Sequence, residues 1–346
     1  MHFEDGYVMP AEWENHEATW ISWPKNSDSF PDEILPEVER TYMSMISALH
    51  KNEKVHLLVD GEDDELRVSS LLESIGIGTS NVFFHKIRTE DVWFRDFGPI
   101  FVTKRGQKER GIYAIHWDFN AWGGKYEELK KDTQIPEKLP LGGIPTVKVN
   151  TVLEGGSIDV NGSGSCITTE QCLLNKNRNA DLNKKQIEEL LAKYLGAENV
   201  IWLKAGITGD DTDGHIDDVA RFVSRDTVVC ASEGNPDDEN YLTLKENLGI
   251  LEKAKDQDGN SLNVVTLPMP EAVVYNGQRL PASYTNFYIA NKVVLVPTFN
   301  DPKDKDALDI IQGLFPGRKA IGINCRELVY GFGAIHCVTQ QQPQIT

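Results

Sequence analysis

Short runs of apolar, β-branched residues recur along the chain and set its rhythm. They include VHLLV from Val55, VFFHKI from Val82, GPIFVT from Gly98 and GIYAIHW from Gly111. NVIWL from Asn199, VARFV from Val219, TVVCA from Thr227, NVVTL from Asn263, KVVLVP from Lys292 and IHCVT from Ile335 continue the series. Each is strand length and bounded by Gly, Pro, Asn or Asp, which predicts strands. Helical spacing separates them. NKKQIEELLAKYLG places Ile187, Leu190, Leu191 and Leu195 on one face and stops at Gly196. PDDENYLTLKENLGILEKA, opening on Pro236 and acids, predicts a second helix, and DKDALDIIQGLF from Asp304 a third. Strands interleaved with helices predict an α/β or α+β protein.

A weak repeat lies on top of this pattern. A polar or Gly-containing turn enters a strand, another turn follows, and a second strand pairs back. This happens at RDFGPIFV (Arg95), GGSIDVNGSGSCITTE (Gly155), DGHIDDVARFVSRDTVVCA (Asp213), YTNFYIANKVVLVP (Tyr284) and GFGAIHCVT (Gly331). A spacing of roughly 50–70 residues is that of repeated supersecondary units. Five such units could close into a ring, with the turns that enter the strands collected around its axis. No Ser/Gly linker or low-complexity tract divides the chain, so residues 1–346 are expected to form one domain.

Composition narrows the function. The formal charge of −18 disfavours nucleic acid and anionic membrane and favours a cationic partner, although acidity also serves solubility alone. The five cysteines, Cys166, Cys172, Cys230, Cys325 and Cys337, are odd in number and form no CxxC pair. They read as reduced thiols in a cytoplasmic protein. The N-terminus, with no basic start and no apolar run, does not read as a signal peptide, and no apolar segment is long enough to span a bilayer. Walker, GxGxxG, HExxH and paired CxxC patterns are lacking.

Four segments carry candidate chemistry. Cys337 in GFGAIHCVTQQQP is a thiol that a cationic neighbour or substrate would activate, with Gly331 and Gly333 allowing close backbone approach. In a strand, His336 and Cys337 would face opposite ways, which argues against a local dyad. The competing reading of Cys337 is a buried small hydrophobe. GDDTDGHIDD holds five aspartates around His215. In a strand beginning there, His215 and Asp217 would share a face, suited to binding a cation and moving a proton. A solvated acidic turn competes. A calcium loop does not, because Gly209 and Ala220 occupy its two essential carboxylate positions. VWFRDFGPIFV sets Asp96 one turn after Trp93, a carboxylate and ring suited to a guanidinium; an Arg95–Asp96 surface pair competes. Glu154 in LEGGSIDVNG could orient a histidine or hold a guanidinium nitrogen, or be an ordinary hairpin acid.

Together, MPAEWENHEATWISWP, VWFRDFGP, LEGGSID, DTDGHIDDVARF and IHCVTQQQP resemble the agmatine deiminase family nearly end to end. That family is a branch of the guanidino-modifying enzymes that includes bacterial-type peptidyl-arginine deiminases. The resemblance implies a five-bladed, pseudo-symmetric α/β propeller, pentein-like, built from ββαβ-type units. It implies Cys337 as nucleophile, Asp96 and Asp217 as the guanidinium clamp, His215 as acid and base, and Glu154 as its carboxylate partner. Trp93 and Gly333 would line the pocket, and Asp211 would meet the distal amine of the substrate. The implied reaction is agmatine plus water to N-carbamoylputrescine and ammonia, with no metal and no cofactor. The implied partners are a small cationic guanidino substrate and, as an option, a further copy of the chain. Where the family commonly has GGGN before IHC, this chain has GFGA, a difference falling on Phe332 and Ala334 beside the nucleophile. The alternatives are deimination of peptidyl arginine or free arginine, amidino transfer, and, from another class, a non-catalytic acidic protein that binds polyamines or metal ions.

Overall fold

The computed structural model describes residues 6–104 and 111–344. The first five residues, part of the segment read above as lacking a leader, lie outside the described residues. The fold is α/β. Five sheets of three or four strands share one plan, and a small hairpin, Val274–Tyr275 with Gln278–Arg279, stands apart from them.

The plan is easiest to see from Ala220 to Pro268. The strand Ala220–Phe222 runs antiparallel to Thr227–Ser232, which pairs in parallel with Asn263–Pro268. A parallel pair needs a crossover, and the helix Tyr241–Leu251 supplies it. Ile158–Val160, Ser165–Thr169 and Asn199–Leu203 repeat the order, with Lys184–Leu195 as the main crossover helix. So do Tyr288–Ile289, Val293–Thr298 and Lys319–Asn324 around the helix Asp304–Leu314. Ile100–Lys104, Ile112–Asp118 and Thr146–Val152 form the next, extended by Tyr7–Val8. In the fifth, the C-terminal strand Gln340–Pro343 pairs antiparallel with the N-terminal His16–Ser22. That strand continues in parallel to Lys54–Val59 and Val82–Lys86. The ββαβ-type unit that the resemblance implies therefore occurs five times among the described residues, once assembled from both ends of the chain.

Local signals explain the elements. Asn183 and Gln186 form a reciprocal capping box at the start of Lys184–Leu195, and Gly196 ends it at φ 70°. Ile187, Leu191 and Leu195 are buried and Leu190 half-buried. Three expectations fail. The helix expected from Pro236 starts at Tyr241, because Asp238 accepts from the Asn240 amide and pairs with Arg279, which folds residues 236–240 into a turn. No strand begins at Ile335: residues 335–338 form a turn held by Thr339, whose Oγ1 donates to the carbonyls of Ile335 and His336. Nor do His215 and Asp217 share a strand, since Ile216–Asp218 is one turn of 3-10 helix before Ala220.

Among the described residues, no helix is long and apolar enough to cross a membrane.

Candidate active site

Each of the five units opens with a turn, and each turn delivers a polar group to one place. The short helix Phe94–Phe97 brings Asp96, Gly155–Ser157 brings Gly156, and Ile216–Asp218 brings Asp217. Asn286 precedes Tyr288–Ile289, and Cys337 precedes Gln340–Pro343. Gly156 measures the convergence. A Cβ built on it would lie 2.6 Å from His215 Nδ1, 2.9 Å from Asp96 Oδ1 and 3.1 Å from Asp217 Oδ2. Three ionisable groups from two segments thus surround one methyl-sized volume. Gly156→Ala should lower turnover by about 10²-fold or more, because even an ångström of displacement at a reacting centre costs that much. Steady-state kinetics on the folded variant check this.

Cys337 is buried, with Sγ 3.0 Å from Asn286 Nδ2, which donates to it, and 3.6 Å from Asp217 Oδ2. Asn286 Oδ1 also accepts from the His336 amide at 2.9 Å, so one side chain fixes the nucleophile's turn. His336 does not point away from the site. Its Nδ1 meets Asp217 Oδ2 at 2.7 Å and its Nε2 meets Glu12 Oε2 at 2.9 Å. Alternation fails here because the segment is a turn. Glu12 in turn contacts Arg221 at 3.0 Å and Arg95 at 3.4 Å. Burial opposes its charge, but Arg221, His336 and Arg95 hold the Glu12 carboxyl well below the usual range. Arg95 is therefore a buried member of this network and not half of a surface pair with Asp96.

Asp96 receives Trp122 Nε1 on Oδ2 at 2.9 Å and the Gly156 amide on Oδ1 at 3.0 Å. Burial, with Asp217 and Glu154 nearby, pushes its carboxyl up to about 6 against the pull of His215. Burial also raises Cys337 well above a free thiol, reinforced by Asp217, Asp218 and Asp96. In the empty site the sulfur is a thiol, and a bound cation would offset that acidic field. His215 moves the other way: burial disfavours its charge, but Asp96 and other neighbours raise it well above an ordinary imidazole.

The aspartates of GDDTDGHIDD divide the work. Asp210 accepts the amides of Thr212, Gly214 and His215 and shapes the loop. Asp213 pairs with Lys125 and Arg178. Asp211 faces the cavity and takes the Tyr126 hydroxyl. Asp218 accepts from Asn286, and burial beside Asp217 raises its carboxyl. Glu154 spends Oε1 on Arg178 Nε at 2.7 Å; its other oxygen has no partner. Neither do the two ring nitrogens of His215, nor Asp217 Oδ1. Buried polar atoms are nearly always hydrogen-bonded, so four orphans in one site mark the seat of a polar ligand.

A cavity of about 230 Å³ leads out from Cys337 and Asp96, past Trp93 and Trp122 to Tyr126 and Asp211. No Lys or Arg lines it among the described residues. Ligand atoms of Glu154, Cys172 and His215 lie within 4.8 Å of one another, as do those of Asp217, Asp218 and Cys337. Arg178 already neutralises Glu154, and protons on His215, Asp218 and Cys337 would compete with a metal. The geometry thus brings Cys337, Asp96, His215, Asp217 and Glu154 together, with Trp93 and Gly333 against the nucleophile and Asp211 farther out. The sequence reading passed over Asn286, His336, Glu12, Trp122, Tyr126 and Arg178.

Comparison with known proteins agrees over the whole chain. The model of the Porphyromonas-type peptidyl-arginine deiminase family matches residues 8–343. A protein of Legionella pneumophila, provisionally named an agmatine deiminase, is 37% identical over 341 residues, 98% of this chain and 95% of that one. The C. jejuni agmatine deiminase, solved as a cysteine-to-serine variant with substrate bound, superposes with a TM-score of 0.89. It is 32% identical, and the match covers 100% of this chain and 99% of that one. The agmatine deiminase of Enterococcus faecalis gives 0.89 at 32% identity, with coverage of 98% and 96%.

Proposed function

The chain belongs to the Porphyromonas-type peptidyl-arginine deiminase family, and from that premise we propose that it hydrolyses agmatine to N-carbamoylputrescine and ammonia by covalent cysteine catalysis. The observation that carries this reading is the pair of unpartnered buried carboxylate oxygens of Asp217 and Glu154 beside His215, next to the thiol of Cys337. A guanidinium offers planar N–H donors that would satisfy the acceptors, and its charge would stabilise the thiolate. The full-length likeness to a structure described as agmatine deiminase with substrate bound favours agmatine over the alternatives. We read the five ββαβ sheets as the blades of one propeller around this site, and residues 1–346 as one catalytic unit.

Asp96 and Asp217 clamp the guanidinium with its carbon facing Cys337. The bound cation draws the thiol toward thiolate, its proton passes to solvent, and Sγ attacks the carbon to form a tetrahedral adduct. His215 gives a proton to one nitrogen, the C–N bond breaks, and ammonia leaves a thiouronium on Cys337. Water then gives up a proton to His215 and attacks the same carbon. The C–S bond breaks, the ureido product departs and the thiol is restored. Glu154, fixed by Arg178, steadies the imidazolium. Asp211, held by Tyr126, takes the distal ammonium, and the absence of cationic lining among the described residues disfavours a substrate carboxylate.

The test is to assay ammonia and ureido product with agmatine, arginine and an arginyl peptide in parallel, with Cys337→Ala as control. Turnover of agmatine that is absent in the control supports the reading; no turnover of agmatine by the wild type overturns it. A pH profile adds a second check. Below about 6, Asp96 takes up a proton and can no longer pair with a guanidinium, so kcat/KM should fall as pH drops through that value. Asp96→Asn should lower kcat/KM throughout and remove that limb.

A further inference from the structure

Phe332 stands in a backbone conformation that its side chain disfavours. It sits at φ 71°, ψ 24°, in the left-handed region that favours glycine and penalises a bulky side chain. Both flanking residues are glycine because neither has room for more. A Cβ on Gly331 would lie 2.7 Å from Phe30 and 2.9 Å from Trp93. One on Gly333 would collide with Trp93 and lie 3.0 Å from Cys337 Cβ. Of these three residues only Phe332 carries a side chain. It lines the same cavity as Cys337.

Strain gathers around that cavity. Six residues other than glycine have positive φ among the described residues, and Trp122, Asn276 and Phe332 are cavity-lining members of that group. Strained backbone persists where surrounding structure holds it, and it clusters at ligand clamps. Phe332 is one residue away from the glycine that touches the nucleophile. Its side chain lines the cavity into which Cys337 faces and along which a substrate's alkyl chain would run. Trp93 and Trp122 bound the same cavity, and the edge-to-face pair Tyr275–Tyr330, centroids 4.5 Å apart, lines it farther along.

We infer that Phe332 is a specificity-determining residue that narrows the cavity to an unbranched alkyl tail and excludes a branched carbon, as in peptidyl arginine. The inference rests on the deiminase reading above. Shape and charge act separately here. The acids Asp91 and Asp211 line the cavity and oppose a free carboxylate, whereas Phe332 opposes bulk.

F332A and F332G separate ring volume from backbone conformation, since alanine removes the ring but keeps the left-handed penalty. N-acetyl-arginine amide, which is branched but carries no carboxylate, is the probe, with agmatine and free arginine beside it. In both variants kcat/KM for the blocked arginine should rise at least tenfold relative to agmatine. KM for agmatine should rise more than kcat falls, and free arginine should stay a poor substrate. The inference is overturned if the blocked-arginine to agmatine ratio stays within threefold of wild type in both variants, or shifts only in F332G. Failure of the wild type to turn over agmatine would instead overturn the deiminase reading, so the two failures are distinguishable.

Discussion

Cys337→Ser is expected to lower agmatine turnover by about 10⁴-fold or more while leaving agmatine binding within a few-fold of wild type. The hydroxyl is nearly isosteric, and Asn286 can donate to it as it does to the thiol. The fold has no reason to change. The proposed binding groups, Asp96, Asp217 and Asp211, remain. A serine hydroxyl is a far weaker acid than a thiol, and the acids around it oppose ionisation further. The bound guanidinium can therefore no longer call up an anionic nucleophile. Turnover kinetics and calorimetric titration with agmatine check the two halves separately. A loss of less than tenfold would remove Cys337 from the chemistry.

The second large effect is at His215. His215→Asn should cost about 10²–10⁴ in kcat, the usual contribution of a positioned acid and base. The same change should lower the denaturation midpoint at neutral pH. A buried histidine that serves structure has its nitrogens bonded. Here neither nitrogen meets an oxygen or nitrogen partner: Asp96 Oδ2 stands 3.8 Å away, outside hydrogen-bond distance, and the Cys172 thiol is the neighbouring polar group. The groups around it outweigh the cost of burying its charge, so the imidazolium stabilises the fold and a neutral asparagine forfeits that contribution. A fall in the midpoint together with retained activity would return His215 to a structural role.

Much of this was legible because the chemistry sits in turns flanked by glycine, and turns announce themselves. The segments around Asp96, Glu154, His215 and Cys337 stood out as charged or nucleophilic residues at the mouths of apolar runs. The repeat was legible for the same reason: each unit begins with a turn and a short strand. That repeat also held a signal that went unread. Four units place a chemical group a few residues before their first strand, so position alone points to Asn286 in YTNFYIAN in the remaining one. His336 was misread by a sound rule applied to the wrong element. Strand alternation put it away from Cys337, but the Thr339 side chain folds the segment into a turn, and both residues meet Asp217. Glu12 lies in the N-terminal segment, and its partners Arg95, Arg221 and His336 come from three other units; no local pattern encodes that meeting. The helix Leu35–Leu49 was not singled out, although Val38, Tyr42, Met45, Ile46 and Leu49 keep helical spacing and are buried. Trp122, which holds Asp96 from a left-handed backbone, had no sequence signal.

The most direct measurement is mass spectrometry of the wild-type protein quenched in acid during turnover of agmatine, with the Cys337 peptide read out. The account predicts a modification on Cys337 equal in mass to agmatine less ammonia, absent from Cys166, Cys172, Cys230 and Cys325 and lost when substrate is exhausted. Steady turnover with an unmodified Cys337 peptide, when the quench is fast enough to trap the first cycle, would contradict covalent catalysis at this thiol.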